Sequence, residues 1–355
     1  MAKTWQRQTY EGIRPLLFLA DAEWIHGMTV STLGKLAEGS WGRSFLSHLS
    51  SDRPAGAWAE ARPVEAMGLQ FRNRVGLAAG FDKDAEALLG WAALGYGFAE
   101  VGTVTPQAQA GNIRPRSWRL PDDEALVNRM GFNNAGAAAL ADRVARARRW
   151  LPPGFVVGVS IGRGATTSDV AAEDDYLAAG AVVAPVADYL SVNVSSPNTE
   201  GLAALEEPDR LAGLVTALDT VEPRRPVLVK IAPDQPAHRL RLLVDALGTT
   251  PAAGLIVSNT TRSREGLRSP LPPGADQGGL SGRPLLPDML TALGVIRGAA
   301  EDRFTLIASG GIFSGEDARR ARDAGADLVQ LWTGMVYAGP GLIGEVVEAL
   351  TSASI

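Results

Sequence analysis

Arg74-Val-Gly-Leu-Ala-Ala-Gly-Phe-Asp-Lys83 begins as a short apolar run and turns abruptly to glycine and charge. The same transition recurs along the rest of the chain. Runs rich in Val, Ile and Leu are expected as strands at 75–78, 98–104, 156–161, 189–194, 227–231, 254–258, 305–308 and 328–332. Between them, Ala-rich stretches predict helices over 84–94, 134–150, 168–186, 208–218, 236–247, 287–299, 314–324 and 341–350. The strands are nearly continuous in apolar residues, as when both faces of a parallel sheet are covered. Eight such βα units predict an α/β chain of the (β/α)8 TIM-barrel type. After each strand the composition becomes polar: Gly80-Phe-Asp-Lys83, Thr103-Val-Thr-Pro106, Asn259-Thr-Thr-Arg262, Ser309-Gly-Gly311 and Thr333-Gly334. In a barrel these ends share the face on which active sites are built.

The first seventy residues lack this pattern and predict helices over 10–19 and 21–37. Trp24, Ile25, Met28, Thr32, Leu33 and Leu36 fall near one face of the second, after a plausible Asp21 cap. Trp5, Trp24, Trp41 and Trp58 supply four of the chain's eight tryptophans. Two readings stand: a helical pair packed on the barrel, or an element that meets a membrane interface. The expected organisation is a helical extension over 1–69 and a barrel over 70–355.

The 355 residues, 46% hydrophobic, suffice for one large core. A net charge of -5 gives no general attraction for nucleic acid. With no cysteine, disulfides, thiolate metal clusters and a catalytic thiol are excluded. His26, His48 and His238 are scattered without ligand spacing, so no metal is expected. Met1 to Tyr10 is polar and the apolar run Leu16 to Ala20 is short, so neither a signal peptide nor a membrane span is predicted, and the chain is placed in the cytoplasm. Gly162-Arg-Gly-Ala-Thr-Thr167 is only a near miss of a dinucleotide fingerprint.

Lys83 and Lys230 end strands, where an ammonium can stabilise an anionic substrate or a reduced flavin. The competing reading is an ion pair with Asp82 or Asp234. Asn128, Asn133, Asn193, Asn198 and Asn259 lie at or near strand ends, and an amide matches a ring with alternating N–H and C=O groups. Gly278-Gly279, Gly310-Gly311 and Gly334 fall where barrels often bind phosphate through backbone N–H groups.

These motifs resemble the class 2, membrane-associated, quinone-dependent dihydroorotate dehydrogenases. The resemblance runs through Leu77-Ala-Ala-Gly-Phe-Asp-Lys83, Glu100-Val-Gly-Thr-Val-Thr-Pro106, Asn128-Arg-Met-Gly-Phe-Asn133, Asn193-Val-Ser-Ser-Pro-Asn198, Val229-Lys-Ile-Ala-Pro-Asp234, Gly279-Leu-Ser-Gly-Arg-Pro-Leu285 and Ala308-Ser-Gly-Gly-Ile312, in family order. It implies oxidation of (S)-dihydroorotate to orotate in pyrimidine biosynthesis, with one non-covalent FMN taking a hydride and a quinone as final acceptor. Position by position, it implies Ser196 as the base, with Thr199 and a water near Phe132 relaying the proton. Substrate positions are Lys83, Asn128, Arg129, Met130, Gly131, Phe132, Asn133, Asn193, Asn198, Asn259 and Thr260. FMN positions are Ala79, Gly80, Phe81, Asp82, Lys83, Thr103, Ser160, Asn193, Lys230, Ser258, Gly282, Gly311, Trp332 and Thr333. His26 and Arg119 match quinone-tunnel positions, for which a packed helix residue and a surface ion pair are the competing readings. The resemblance also implies peripheral attachment at the cytoplasmic side of the cell membrane, and the chain is read as a monomer. Ser160 stands where the family usually has Asn, and Trp332 and Thr333 where Tyr and Ser are usual.

The rival classes need features that this chain lacks. A class 1 enzyme uses a cysteine base. A tRNA dihydrouridine synthase needs a basic face and usually a cysteine acid. A non-catalytic flavin- or pyrimidine-binding scaffold should show breaks at Ser196, Lys83 or the asparagines.

Overall fold

Among the described residues three helices precede any sheet: α1 (Trp5–Phe18), α2 (Ala22–Glu38) and α3 (Ser40–Ser50). The computed structural model describes residues 4–51, 63–194 and 205–351. A two-stranded antiparallel hairpin follows, β1 (Val64–Ala66) and β2 (Leu69–Phe71). The barrel then starts with β3 (Val75–Leu77), α4 (Leu88–Ala93) and β4 (Phe98–Val104). An excursion, β5 (Ser117–Leu120) and β6 (Ala125–Asn128), precedes α5 (Ala137–Arg148), β7 (Val156–Ile161), α6 (Ala172–Val183) and β8 (Tyr189–Asn193). Next come α7 (Pro208–Leu218), β9 (Val227–Ile231), α8 (Ala237–Leu247), β10 (Ala252–Val257) and β11 (Gly279–Gly282). The chain ends with α9 (Leu286–Ala300), β12 (Thr305–Ser309), α10 (Gly315–Asp323), β13 (Leu328–Leu331), α11 (Thr333–Ala338) and α12 (Gly341–Thr351).

Eight parallel strands close on themselves in the order β3, β4, β7, β8, β9, β10, β12, β13. The barrel interior changes character along its axis. At the N-terminal end Phe71, Phe98, Tyr189, Leu228, Ile256, Ile307 and Leu328 form one apolar cluster. Phe71, from the hairpin, meets Phe98 edge-on at 5.2 Å between ring centroids and closes this end. Each such buried ring contributes about 2–3 kcal/mol of apolar burial. Two strand glycines make room for this layer: a Cβ on Gly76 would lie 2.3 Å from the Phe98 ring, and one on Gly158 2.0 Å from the Tyr189 ring. Toward the C-terminal end the buried residues become polar, with Glu100, Ser160, Ser191, Asn193, Lys230 and Gln330.

The eight strands and eight outer helices lie where the sequence puts them, with ends differing by a few residues. α6 starts at Ala172 rather than 168, and α4 at Leu88 rather than 84. Ala85 has a positive φ of 58°, and Asp82 accepts the amide protons of Glu86 and Ala87 at 2.7 and 2.8 Å, so this turn is held out of the helix. Five strands were not expected, the hairpin pair β1 and β2 and then β5, β6 and β11. β5, β6 and β11 form an antiparallel sheet over the barrel mouth, in the order β11-β6-β5, and it carries Asn128 at its edge with the site.

The N-terminal helices rest on α4, α11 and α12. Arg7 donates to Glu345 at 2.8 Å and to the Phe313 carbonyl, and Tyr10 and Arg14 donate to the Val336 and Tyr337 carbonyls at 2.7 Å. Asp21 caps α2 by accepting from the Trp24 amide at 2.9 Å. Val30, Leu33 and Ala37 bury one face of α2. Ile25, Met28, Thr32 and Leu36, on the face read either as packed on the barrel or as meeting a membrane interface, line a cavity.

Candidate active site

One cavity of about 520 Å³ connects the barrel mouth to the space enclosed by α1, α2 and α3. Its outer part is apolar, lined by Leu17, Phe18, Ile25, Met28, Leu36 and Leu46. Its inner part is polar, lined by Lys83, Thr103, Asn128, Asn193, Lys230 and Asn259. Strand register brings the latter together: Asn193 of β8 lies beside Lys230 of β9, and both Thr103 and Asn259 come from the C-terminal ends of barrel strands.

The polar side chains form a directed chain. Asn259 Nδ2 donates to Asn193 Oδ1 at 3.1 Å, and Asn193 Nδ2 donates to Thr103 Oγ1 at 2.8 Å. Thr103 Oγ1 in turn lies 3.0 Å from Ser160 Oγ. Asn259 Oδ1 also accepts from the Thr260 amide at 2.9 Å. Each amide is thus fixed in orientation, which preorganises the site for a ligand with matching edges. Lys83 Nζ donates to Asn133 Oδ1 at 2.9 Å. Burial, with the nearby Arg116 charge, pushes the Lys83 ammonium down to about 8, against a pull upward from Glu23 and Asp84. Burial likewise lowers Lys230, opposed by the Glu100 carboxylate. Phe132 sits at φ 51° after Gly131 at φ 69°; its carbonyl accepts from Asn134 and Gln109 at 2.7 and 3.1 Å, which holds this turn in place.

Of the substrate positions, Lys83, Asn128, Met130, Gly131, Phe132, Asn193, Asn259 and Thr260 line the cavity. So do Ala79, Gly80, Phe81, Thr103, Lys230, Ser258, Gly282, Gly311, Trp332 and Thr333 among the flavin positions. Four residues stand back from it. Asn133 acts one bond behind, through Lys83. Ser160 is fully buried beneath Thr103. Arg129 does not line the cavity, and its guanidinium lies 5.7 Å from the Trp118 ring. Asp82 faces away: both carboxylate oxygens are taken by the Glu86 and Ala87 amides and by Trp91 Nε1 at 2.9 Å. That use of Asp82 also removes it as the ion-pair partner of Lys83. Ser196, Asn198 and Thr199 lie outside the described residues.

At the junction of the two halves, His26 Nε2 is 2.7 Å from the Phe81 carbonyl. A carbonyl only accepts, so Nε2 carries the hydrogen and Nδ1 is left as an acceptor. Burial, reinforced by Lys83, lowers His26 to about 4, so the ring is neutral at physiological pH. It stacks on Trp332, with 5.6 Å between centroids and planes 2° apart. Arg119 lines the cavity, but it grips the end of α1. It donates to the Phe18 and Ala20 carbonyls at 3.3 and 2.7 Å, and its guanidinium lies 4.6 Å from the Phe18 ring.

Sequence reasoning missed Glu100 and Gln330, which were legible as lone polar residues inside the apolar runs Phe98–Val104 and Leu328–Leu331. It also missed Ser281, whose Oγ lies 2.8 Å from Thr333 Oγ1; the short β11 gave no signal.

The turn at β12 requires glycine. Gly310 and Gly311 have φ of 132° and 70°, and a Cβ on Gly311 would come within 2.5 Å of the Leu286 amide nitrogen. Together with Gly282 and Thr333 it exposes backbone to the cavity, as an anion-binding cradle demands.

The family model described as dihydroorotate dehydrogenase matches residues 63–353. A protein of Cupriavidus taiwanensis named dihydroorotate dehydrogenase (quinone) is 43% identical over 349 residues, covering 96% of this chain and 98% of the relative. One of the same name from Gloeobacter violaceus is 44% identical over 344 residues, covering 97% and 94%. A crystal structure of DHODH from Eimeria tenella in complex with ferulenol superposes with a TM-score of 0.81 at 36% identity, covering 93% of this chain and 90% of that one. A (β/α)8 barrel with N-terminal helices, a polar mouth joined to an apolar slot, and relatives matching over nearly the full length leave one conclusion: the chain belongs to the dihydroorotate dehydrogenase family.

Proposed function

We propose that this chain oxidises (S)-dihydroorotate to orotate in pyrimidine biosynthesis and passes the two electrons to a quinone. The observation that carries this reading is the single cavity with two chemistries, polar in the barrel mouth and apolar between the N-terminal helices. A charged pyrimidine and a quinone have opposite solvation, and one continuous cavity offers each a matching end.

FMN fits the residues present. Lys230 supplies a cation, Gly282 and the Gly310-Gly311 turn supply an open backbone for a phosphate, and Gly80, at φ 91°, lets the chain approach the ring closely beside Trp332. Bound FMN would accept the hydride from C6 of dihydroorotate and deliver two electrons to the quinone. Lys83 holds the substrate carboxylate, and Asn128, Asn193 and Asn259 orient the ring edges. In this reading Ser196, with Asn198 and Thr199 outside the described residues, removes the C5 proton and hands it to a relay that passes Phe132. Loss of that proton and of the hydride leaves the C5=C6 double bond of orotate. His26 offers Nδ1 as an acceptor to a quinol hydroxyl.

The same reading makes residues 1–69 the quinone- and membrane-facing extension and 70–355 the catalytic barrel. Among the described residues no helix is long and apolar enough to cross a membrane. Leu16, Leu19, Trp24 and Trp41 are nevertheless more than half exposed on the helices that roof the apolar slot. That placement supports peripheral docking on a membrane surface, and the reading takes the chain as a monomer at the cytoplasmic side of the cell membrane.

Purified protein offered dihydroorotate with a soluble quinone, fumarate or NAD in separate assays is expected to turn over with the quinone alone, and Ser196→Ala is expected to lose flavin reduction at neutral pH. Turnover with fumarate and none with quinone would overturn the acceptor assignment.

A further inference from the structure

Beneath the polar half of the cavity lies a buried layer that the proposed reaction does not use: Glu100 of β4, Ser191 of β8 and Gln330 of β13, beside Lys230 of β9. Three donors converge on the Glu100 carboxylate. Ser191 Oγ reaches Oε1 at 3.0 Å, while Tyr189 OH and Gln330 Nε2 reach Oε2 at 3.0 and 2.8 Å. The last contact decides which way the Gln330 amide points, because turning it over would set its oxygen against a carboxylate oxygen.

Gln330 Oε1 is thereby directed away from Glu100, and it has no hydrogen-bond partner among the described residues. The side chain is 1% exposed and lines the cavity. Buried polar atoms in folded proteins are nearly always satisfied, so an orphan acceptor on a residue that lines a cavity points to a donor from what fills that cavity. Lys230, in the same wall, has the opposite chemistry: an ammonium donates and cannot accept.

We propose that Gln330 is a cofactor-binding residue whose Oε1 accepts a hydrogen bond from an N–H or O–H group of the bound flavin, with Glu100 holding the amide from behind. This rests on the reading of the cavity as an FMN site. The oxidised isoalloxazine ring has one N–H, at N3, and the ribityl chain has hydroxyls; its other polar ring atoms only accept. Gln330 therefore selects a donor of the flavin where Lys230 selects an acceptor.

The test is FMN affinity, read from quenching of flavin fluorescence as apoprotein is titrated, with no turnover involved. Gln330→Met keeps the length and removes the acceptor; Gln330→Ala leaves space in its place. Both are expected to weaken FMN roughly ten-fold while the thermal transition stays cooperative. N3-methyl-FMN and analogues lacking single ribityl hydroxyls identify the donor. The modification that weakens binding to the unaltered chain roughly ten-fold should cost nothing further in Gln330→Met, as a double-mutant cycle requires. Equal FMN affinity in both variants, or analogue penalties identical with and without the Gln330 amide, overturns the proposal. Should both variants fail to fold, analogues that all bind the unaltered chain as tightly as FMN overturn it equally. Failure of the unaltered chain to bind FMN at all would instead refute the cofactor reading on which this one rests.

Discussion

Lys83 makes the sharpest prediction because its charge is both needed and compromised. Its ammonium lines the cavity, is held by Asn133 and titrates at about 8. Below that value the cation is present. As pH rises through it the cation is lost, and with it the partner of the substrate carboxylate. About nine in ten Lys83 side chains are charged at pH 7 and about one in ten at pH 9, so the dissociation constant of an anionic ligand should rise about ten-fold between them. Replacing the side chain removes a charge-assisted hydrogen bond of about 1.5–3 kcal/mol, so Lys83→Met should weaken orotate roughly ten- to a hundred-fold at pH 7. It should also abolish the slope. The assay is titration of the oxidised holoprotein with orotate, followed by the perturbation of flavin absorbance from pH 6 to 9.5. A change of less than two-fold between pH 7 and 9, or the same slope in Lys83→Met, would refute this account of the carboxylate site.

Three other predictions concern separate parts of the molecule. His26→Phe keeps an aromatic face against Trp332 but removes the Nδ1 acceptor; reduction of the flavin by dihydroorotate in anaerobic stopped flow should stay within about two-fold, while KM for a soluble quinone rises several-fold. An equal fall in both half-reactions would count against a quinone-side role. Asp82→Asn sets an amide NH2 against the Trp91 or backbone N–H donors, so urea unfolding should show a loss of about 2–3 kcal/mol; a loss within 0.5 kcal/mol, roughly the error of such a measurement, would restore Asp82 to the cofactor set. Glu206, which accepts from Gln235 at 3.0 Å, is raised by burial to about 7. The folded chain holds its proton more tightly than the unfolded one, so stability falls as pH rises from about 4.5 to 7. After discount for its partial exposure, Glu206→Gln should be more stable than the unaltered chain by about 1–2 kcal/mol at pH 8 and by nothing at pH 4. Equal gains at both values would mean that charge is not the cause.

Much of the site was legible because barrel chemistry is written at strand ends. A run such as Val227–Ile231 and the polar residues beside it are adjacent in sequence, so a local pattern finds both the strand and its lysine. Gly80, Thr103, Asn193 and Asn259 were found the same way, and all reach the cavity. Asp82 shows the limit. It stands between Phe81 and Lys83, which both line the cavity, and only the turn that carries its oxygens to Trp91 sends it elsewhere. Ser160 likewise sits at a strand end, but inside, below Thr103.

Sequence by itself determined the eightfold repeat, the polar mouth and the absence of a thiol, since periodicity, composition and residue type are local properties. Tertiary structure alone decided the rest, because each remaining feature is a pairing between distant segments. Residues 279–282 become a strand only against Asn128 and its neighbours. Helix α2 packs on α4 and α3 and also covers part of a cavity, which its own residue pattern does not show. Glu100 and Gln330 are single interruptions in apolar runs until barrel closure brings β4 and β13 within hydrogen-bond reach, and that closure leaves one amide oxygen of a cavity-lining residue without a partner among the described residues.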